Sequence, residues 1–501
     1  MRLIRPLALL IFVSIISCEK HQEASSPNQN KEILLTPTEI NEVINSSIEQ
    51  TGDFSWKNAS DQLLWSAVMH GDSLLTVGYG NTPNDIIRTN FDSELNLKKG
   101  IINNVLDVEN KILKKKKSTQ DISIYEDEIL TIVDLKIVNP ESISMLRKQK
   151  GIRYLEPSGY AYNEFEKGNK KSDSGCSYDT SVLNTDDYNT IAPNSKASWV
   201  HYEHNIPQAW NYSTGSNITI GLIDTGVSPN QPLLGSNFND GYSSGRSIEK
   251  YGTFVDSFWW WVTDTDGPND QCGHGTSMAA TIASPRNDNG MPVGVAYNSN
   301  LVAYRATSDV LLDDYHEKKG VAEALTQMAN RSDVKIISMS IGNAFTIDRI
   351  KDAVIYAYNK NKLIFAAGGT STNYTNWYGV IFPASMSETV AVTGITDSGD
   401  YSECDVCHKG DQIDFTIVMQ RHNNSSRTSP IIGFYDNTTD YVGGSSVATA
   451  TTAGIAALVW AKNPSWNRTQ ILDKLKQSAE FYPNKHSDFG YGNIDALIAV
   501  Q

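Results

Sequence analysis

The sequence predicts an α/β fold: a parallel sheet flanked by helices, preceded by a small α+β region. Apolar runs rich in β-branched residues carry this prediction, because strands buried on both faces of a parallel sheet are apolar along their whole length. Helical stretches separate these runs, and strands that alternate with helices imply a parallel sheet. The runs are 218–223, 301–304, 336–340 and 363–366, and the helical stretches lie near 321–329 and 347–360.

Length and charge set the first limits on domain number and on partners. A chain of 501 residues is too long for one ordinary domain, which predicts two or three folding units. Its content of 40% hydrophobic and 20% charged residues fits a soluble globular protein with a sizeable core. The net charge of −15 argues against nucleic acid and anionic membrane surfaces as partners.

The amino-terminal segment 1–18 has the composition of an export signal. Arg2 and Arg5 precede an apolar run, 7–16, that is too short to span a bilayer. The segment ends in Ile-Ile-Ser-Cys, which resembles a bacterial lipobox and implies that Cys18 is lipidated and becomes the mature amino terminus. A cleaved signal with a chance cysteine is the alternative.

The segment 19–33 is polar and rich in Ser, Gln, Asn and Lys, so it predicts a flexible tether. Together with the signal, it predicts an exported protein that is lipid-anchored to a bacterial envelope membrane, on the periplasmic side or the cell surface.

The next region combines strand and helix patterns and therefore predicts a small α+β domain. Strand patterns lie at 74–79 and 129–133, and a helix pattern covers 141–150. The predicted boundaries are 34–157 for this domain, 158–197 for a linker and amino-terminal extension, and 198–501 for the α/β domain.

Apart from Cys18, the chain holds four cysteines, an even number that favours disulfides in an exported protein. Cys404 and Cys407 are close enough to close a small loop, which leaves Cys176 to pair with Cys272. Zinc binding by all four is a weaker alternative, because only one C-x-x-C pair is present. A redox role for that pair is weaker still, since no thioredoxin-like unit surrounds it.

Three short strings, far apart in the chain, each place a potential catalytic side chain beside glycine or another small residue. Asp224 lies in Leu-Ile-Asp-Thr-Gly, His274 in Gly-His-Gly-Thr-Ser and Ser446 in Gly-Ser-Ser-Val-Ala. A serine hydroxyl is a weak nucleophile until an imidazole takes its proton, and a buried carboxylate must hold that imidazole in the right tautomer. The three strings supply these roles in the order Asp, His, Ser.

With these motifs in that order, the region 198–501 resembles a subtilisin-like serine protease of the subtilase family. The string Gly-His-Gly-Thr-Ser-Met-Ala is the most specific match, and Gly-Gly-Ser-Ser-Val-Ala-Thr-Ala is similar to the family's serine motif. The resemblance implies an Asp224/His274/Ser446 triad, with the backbone N–H of Ser446, at the start of a helix over 447–462, as one oxyanion donor. It also implies a pocket for the residue before the scissile bond, lined by Ser340, Ile341, Gly342, Ala367 and Gly368.

The segment 151–157, Gly-Ile-Arg-Tyr-Leu-Glu-Pro, is similar to the end of subtilase propeptides. Such propeptides are small α+β domains that assist folding and then inhibit, so the resemblance implies a zymogen that processes itself between Glu156 and Cys176. An unrelated amino-terminal domain is the alternative, because the rest of 34–157 matches poorly. The expected partners are polypeptide substrates, the protein's own propeptide and, through Cys18, a membrane; no cofactor is expected for catalysis.

One position departs from the family pattern. Subtilases usually carry an asparagine after Ala-Ala-Gly, and its side-chain amide donates to the oxyanion; here 366–368 is followed by Gly369. Losing such a donor costs about 10²–10³ in turnover. A substitute donor such as Thr370, Ser371 or Asn373, a slow enzyme, or an inactive domain would each account for the change.

The run Trp259-Trp260-Trp261 is followed by Asp264, Asp266 and Asp270, shortly before His274. Exposed aromatic side chains beside a cleft could bind extended substrate, and packing under the loop is an equally strong interpretation. The three carboxylates could hold a structural Ca²⁺, but a solvated loop is the favoured interpretation.

Two further strings predict no catalytic role. The segment 201–204, His-Tyr-Glu-His, lacks the spacing of a zinc-protease motif and predicts a surface turn. Asp397-Ser398-Gly399 could pair with the Asp224 motif in an aspartic protease, but that reading leaves His274 and Ser446 unexplained and requires an all-β chain. The sequence therefore predicts an exported serine endopeptidase made as a zymogen, with a catalytically impaired, lipid-anchored peptide-binding pseudoprotease as the alternative.

Overall fold

The amino-terminal part of the structure is a four-stranded sheet with helices packed on it. The computed structural model describes residues 33–82, 84–89, 91–112, 116–162, 175–257, 259–370 and 379–501. The predictions for the signal segment, for Cys18 and for nearly all of the tether lie outside the described residues. The sheet order is β2-β3-β1-β4, with every pairing antiparallel. The elements are α1 (Pro37–Thr51), α2 (Asp61–His70), β1 (Leu74–Tyr79), α3 (Asp92–Ile112), α4 (Thr119–Ile122), β2 (Ser123–Glu126), β3 (Ile132–Lys136), α5 (Glu141–Lys148) and β4 (Ile152–Glu156).

The strand predicted at 129–133 begins later than expected. Strand β3 starts at Ile132, because Asp127 Oδ1 accepts hydrogen bonds from the N–H groups of Ile129 (2.9 Å) and Leu130 (2.8 Å). A carboxylate that bonds the backbone two and three residues on favours a turn, so the apolar residues before Ile132 stay outside this strand.

The larger part of the structure is built on a seven-stranded sheet whose pairings are all parallel, in the order β13-β12-β11-β10-β7-β9-β8. Helices flank it, which confirms the predicted fold class. Two antiparallel hairpins, β5–β6 and β14–β15, accompany the sheet. The elements are β5 (Tyr188–Ile191), β6 (Ser195–Ser198), α6 (Trp199–Glu203), α7 (Ile206–Ala209), β7 (Thr219–Asp224), β8 (Ile248–Gly252), α8 (His274–Ala283), β9 (Asn300–Arg305), α9 (Tyr315–Asn330), β10 (Val334–Met339), α10 (Asp348–Asn359), β11 (Leu363–Ala367), β12 (Val390–Thr396), β13 (Phe415–Gln420), β14 (Ser429–Ile432), β15 (Thr439–Val442), α11 (Gly444–Lys462), α12 (Arg468–Gln477) and α13 (Ala496–Val500).

Side chains alternate between two cores on opposite faces of this sheet, as the period of a strand requires. On β7, Ile220 and Leu222 belong to the core that contains α8 and α11, whereas Ile223 belongs to the core formed with α9 and α10. Helix α11 is long and apolar enough to cross a membrane by length and composition, but 89% of its apolar window is buried inside the fold. It is the central core helix of this face.

Helices α9 and α10 also contact the amino-terminal domain. Arg153 makes two hydrogen bonds to the carboxylate of Asp352 on α10, at 2.6 and 2.9 Å, and both side chains are nearly inaccessible. Lys318 on α9 donates to the carbonyl oxygens of Ser158 (3.1 Å) and Tyr160 (2.9 Å). The segment that follows β4 is therefore fixed against α9.

The segment 201–204 is not the surface turn that the sequence predicted. His201 belongs to α6, His204 follows its end, and both side chains are buried. The N–H of Val418 donates to Nε2 of His204 at 2.9 Å, so Nδ1 carries the proton and donates to the carbonyl of Ile494 at 2.8 Å. His204 is a structural histidine of the core.

Candidate active site

The carboxyl end of β7, an inner strand of the large sheet between β9 and β10, carries Asp224 as its last residue. Its side chain is fully buried, and Oδ1 lies 2.8 Å from Nδ1 of His274. The N–H of Thr225 donates to the same oxygen at 2.8 Å. A buried carboxylate in this position accepts the Nδ1 proton of an imidazole and leaves Nε2 free to act as a base.

The loop before His274 is organised by one buried carboxylate. Asp270 Oδ1 accepts hydrogen bonds from the N–H groups of Cys272 (2.8 Å) and Gly273 (2.9 Å) and from the hydroxyl of Thr225 (2.9 Å). Its Oδ2 accepts the N–H and the hydroxyl of Thr276, at 2.9 and 2.6 Å. The solvated role predicted for Asp270 is therefore wrong, because this carboxylate holds both ends of the turn that leads into α8.

His274 is the first residue of α8 and is itself buried. Burial alone would lower the pKa of its imidazole, but the charge of Asp224 and its hydrogen bond to Nδ1 together raise the pKa above the ordinary histidine value. The site thus favours the imidazolium that forms when this histidine accepts a proton.

Ser446 lies in the first turn of α11, which begins at Gly444, three residues earlier than predicted. The first N–H groups of a helix have no partner within it, and they lie in the positive field of the helix end. The side chain is partly exposed, and within the described residues its hydroxyl makes no hydrogen bond to His274. Its carbonyl accepts a hydrogen bond from the Ser340 hydroxyl at 3.1 Å, which joins the predicted nucleophile to the predicted pocket wall.

At the position where an asparagine was expected, Gly369 has a φ of +125°. A Cβ atom there would collide with the ring of His408, lying 3.0 Å from Cγ and closer still to Nδ1. The Gly369 N–H donates to the hydroxyl of Ser445 at 3.3 Å, and that hydroxyl is 3.0 Å from the hydroxyl of Thr370. The other two predicted substitutes, Ser371 and Asn373, lie outside the described residues.

The five residues predicted to line the pocket lie at the carboxyl ends of β10 and β11, and all are buried. Ala367 and Gly368 lie at the end of β11, and Ser340, Ile341 and Gly342 follow β10. The N–H and carbonyl of Gly342 already have backbone partners: Gly342 donates to the carbonyl of Val310, and Leu312 donates to the carbonyl of Gly342, each at 3.0 Å.

Two of the three tryptophans, Trp259 and Trp261, are exposed and so do not pack under the loop, whereas Trp260 is partly buried. Trp259 and Trp261 stack with ring centroids 4.6 Å apart, and Trp260 lies under the Lys136 ammonium of the amino-terminal domain at 4.6 Å. Asp266 is 3.4 Å from Arg305.

The three acidic residues proposed for Ca²⁺ do not converge on one point. Asp264 is exposed, Asp266 pairs with an arginine, and both oxygens of Asp270 are occupied by donors. Calcium requires six to eight oxygen ligands, and within the described part of the chain no group of three or more His, Cys, Asp or Glu side chains could hold a metal ion. These residues do not fit a calcium site.

Two disulfides join the four described cysteines: Cys176–Cys272 and Cys404–Cys407, with S–S distances of 2.09 and 2.00 Å. This is the pairing that the spacing in the sequence favoured. The first bridge ends two residues before His274.

Comparison with known proteins matches this arrangement to one family. A family model described as peptidase S8, subtilase family, matches residues 215–493. The chain is 27% identical over 329 residues to a subtilisin of Bacillus sp. (strain TA39), covering 61% of this chain and 73% of that protein. It is 28% identical over 296 residues to subtilisin E of Bacillus subtilis (strain 168), covering 58% of this chain and 67% of that protein.

A solved structure shares the fold over a larger part of the chain. Fervidolysin from Fervidobacterium pennivorans, a keratinolytic enzyme related to subtilisin, superposes with a TM-score of 0.58 at 19% identity. The alignment covers 86% of this chain and 61% of that one. It therefore extends beyond the seven-stranded sheet into the amino-terminal region.

Proposed function

This chain belongs to the subtilase family of serine endopeptidases, and from that premise we propose that Asp224, His274 and Ser446 form its catalytic triad. The observation that carries the proposal is the 2.8 Å contact between the fully buried Oδ1 of Asp224 and Nδ1 of His274. The polypeptide backbone is the substrate class of the family.

In the proposed mechanism, His274 Nε2 takes the proton of the Ser446 hydroxyl as its oxygen attacks the carbonyl carbon of the scissile bond. The imidazolium then gives that proton to the leaving amine, and a water repeats the two steps on the acyl-enzyme. Asp224 fixes the tautomer of His274 and stabilises the imidazolium. Catalytic hydrogen bonds are often loose before substrate binds, so the open Ser446 hydroxyl is compatible with this role.

The negative oxygen of the tetrahedral intermediate needs donors, and we assign the first to the Ser446 N–H at the start of α11. Thr370 is the second, positioned by Ser445: the Ser445 hydroxyl accepts the Gly369 N–H and, in this assignment, donates to the Thr370 hydroxyl 3.0 Å away, so that Thr370 can donate its own proton to the oxyanion. Such a pair would place hydroxyl donors where the family has an amide.

We further propose that the domain 34–157 is an inhibitory propeptide, that 158–197 is a linker and amino-terminal extension, and that processing occurs between Glu156 and Cys176. Support comes from the buried contacts of Arg153 with Asp352 and of Lys318 with the chain after β4. These contacts fix the carboxyl end of the amino-terminal domain on the 198–501 domain, as a zymogen requires.

We propose export with a lipid anchor at Cys18. The two disulfides support export, because such bonds persist in oxidising compartments. The chain is 29% identical over 297 residues to the minor extracellular protease Epr of Bacillus subtilis (strain 168). The extracellular location in that relative's name agrees with the proposed export.

The proposal is tested with protein lacking residues 1–18, a fluorophosphonate probe and intact mass. The wild-type chain is expected to be trimmed and labelled once, and Ser446→Ala to be neither trimmed nor labelled. A folded, unlabelled wild-type chain would favour the second candidate, an impaired peptide-binding protein, which the absence of a side chain at Gly369 supports.

The oxyanion assignment has its own test. Thr370→Val removes the hydroxyl and keeps the shape, so kcat is expected to fall by about 10²–10³, as when a subtilisin loses one oxyanion donor, with KM little changed. Thr370→Ser is the matched control and should keep most of the activity. Equal activity in the valine and serine variants would refute the assignment.

A further inference from the structure

The segment 175–184, which we call the strap, is joined to the loop of the predicted catalytic histidine. Cys176 forms its disulfide with Cys272, and the next residue, Ser177, donates its N–H to the carbonyl of Cys272 at 2.9 Å. The strap is therefore fixed to this loop twice, by a covalent bond and by a backbone hydrogen bond.

The strap also lies directly against Gly273, the residue before His274. Gly273 has a φ of +94°, and a Cβ atom there would collide with the carbonyl oxygen of Ser177. The ring of Tyr178 is next, with Cδ1 3.4 Å from that Cβ position. The backbone of Gly273 therefore lies close to these two strap residues, with no room for a side chain between them.

The other end of the strap is bound to the β14–β15 hairpin. The N–H of Ser181 donates to the carbonyl of Thr439, and the Thr439 hydroxyl donates to the carbonyl of Ser181, both at 2.7 Å. The N–H of Asn184 donates to the Tyr441 hydroxyl at 2.8 Å. Strand β15 ends at Val442, two residues before α11 begins.

Tyr178 links the loop of His274 to the β14–β15 hairpin. Its ring lies beside Gly273, 3.4 Å from the position that a Cβ atom would take there, and packs edge-on against Phe434 of the hairpin loop, with ring centroids 4.5 Å apart. Tyr178 is about half exposed, with 42% of its surface accessible, so it lies at the protein surface and not in the core.

From these contacts we infer that the strap is a positioning element for the proposed triad: it holds the His274 loop and the hairpin that leads to Ser446 at a fixed separation. Asp224 and His274 are already joined by their hydrogen bond, but no such bond fixes Ser446 to His274 within the described residues. The strap links the His274 loop to the hairpin that precedes Ser446 through the contacts of Cys176, Tyr178 and Ser181. A misplacement of about 1 Å at a catalytic group can lower turnover 10²-fold.

Tyr178→Ala, with Tyr178→Phe as its matched control, tests the inference without touching the disulfide. Both are made in protein lacking residues 1–18, and kcat and KM are measured separately on a peptide substrate. The alanine variant is expected to lower kcat about 10-fold or more with KM little changed, and the phenylalanine variant to restore it, because the ring and not the hydroxyl makes these contacts.

The double variant Cys176→Ala/Cys272→Ala is expected to lose more, between about 10- and 100-fold in kcat. Val182→Ala, in the same strap at a side chain that is 97% exposed, should keep wild-type kcat. Unchanged kcat in Tyr178→Ala would overturn the inference, and so would an equal loss in Val182→Ala or in Tyr178→Phe.

The inference rests on the proposed triad, and the two can fail separately. A wild-type protein that is inactive and unlabelled by the fluorophosphonate refutes the proposed function. An active wild-type protein whose strap variants have unchanged kcat refutes only the role of the strap, and a lower melting temperature without a change in kcat would make the strap purely structural.

Discussion

The imidazole of His408 fills the space that a side chain at Gly369 would need. The two residues are also joined through their backbones, because the N–H of His408 donates to the carbonyl of Gly369 at 3.0 Å. Gly369 thus packs together with His408, and the position is not simply one at which the family's asparagine side chain is missing.

Introducing the family's asparagine at position 369, with no other change, should therefore not fit the site. Gly369→Asn is expected to destabilise the Ser446→Ala chain by about 1–3 kcal/mol, because the new side chain meets His408 and the backbone at φ +125° disfavours it. In the double variant with His408→Ala, the two losses should be less than additive. Urea denaturation of the four chains measures this, and strict additivity would show that the two sites do not compete for space.

The pH at which activity reaches half of its maximum on the acid side should be higher than the ordinary pKa of histidine. In the proposed mechanism only neutral His274 acts as the base, and Asp224 raises the pKa of its imidazole above 6.5, so activity should rise with pH through a midpoint higher than 6.5. Asp224→Asn should lower both the midpoint and the rate, since the stabilising charge is lost. The pH dependence of kcat/KM measures both, and an unmoved midpoint would contradict the assigned pair.

Asp270→Asn should damage the site although it removes no catalytic group. All five partners of the Asp270 carboxylate are donors, so an amide NH₂ would face N–H or O–H groups whichever way it is turned. An unpaired buried donor costs about 1–3 kcal/mol, and kcat should fall as the turn before His274 loosens. Asp264→Asn, at an exposed position of the same loop, is the matched control and should have wild-type kcat.

Acid pH should strengthen the contact between the amino-terminal domain and helix α10. Burial raises the pKa of Glu156, whose carboxylate accepts the Arg349 N–H at 3.3 Å, and burial likewise raises the pKa of Asp348 and of Asp352. A carboxyl group whose pKa is higher in the packed state than in the separated state stabilises packing at low pH. This stabilisation is lost as the pH rises from about 4.5 through the raised pKa values. The charged groups that face Glu156 and Asp348 are Lys318, Arg349, Asp352, Arg153, Lys351 and Lys57.

Gel filtration of the protein after the proposed cleavage, at pH 5 and at pH 8, tests this. The amino-terminal fragment should co-elute at pH 5 and separate more readily at pH 8, and Glu156→Gln should reduce the difference between the two. Tighter association at pH 8 than at pH 5 would contradict the sign of these shifts.

The sequence was most informative where one local pattern determines one structure. The apolar run before Asp224 predicts a buried strand from its own residues, and the structure places Asp224 at that strand's last position. Strands β12 and β13 are absent from the prediction although they carry similar β-branched runs, Val390–Thr396 and Phe415–Gln420. For these two strands the local signal is present in the residues.

Other parts of the site have no local signal. The role of Asp270 depends on N–H groups of 272, 273 and 276 turning toward one carboxylate, which becomes visible only when the turn is formed. The same holds for the obstruction of Gly369 by His408, 39 positions away in the sequence, and for the strap, whose polar residues bind a hairpin some 260 positions later. Long-range contacts of this kind follow from the fold and not from propensity.

The Cys176–Cys272 bridge also acts on the chain when it is not folded. It spans 96 positions and encloses β7 with Asp224, whereas Cys404–Cys407 spans three. In the chain-entropy model, closing a loop of about 100 residues removes unfolded conformations worth about 4.7 kcal/mol at 25 °C. An oxidised chain that opens therefore keeps the strand of Asp224 and the loop of His274 within a restricted volume, which favours refolding over loss to other proteases.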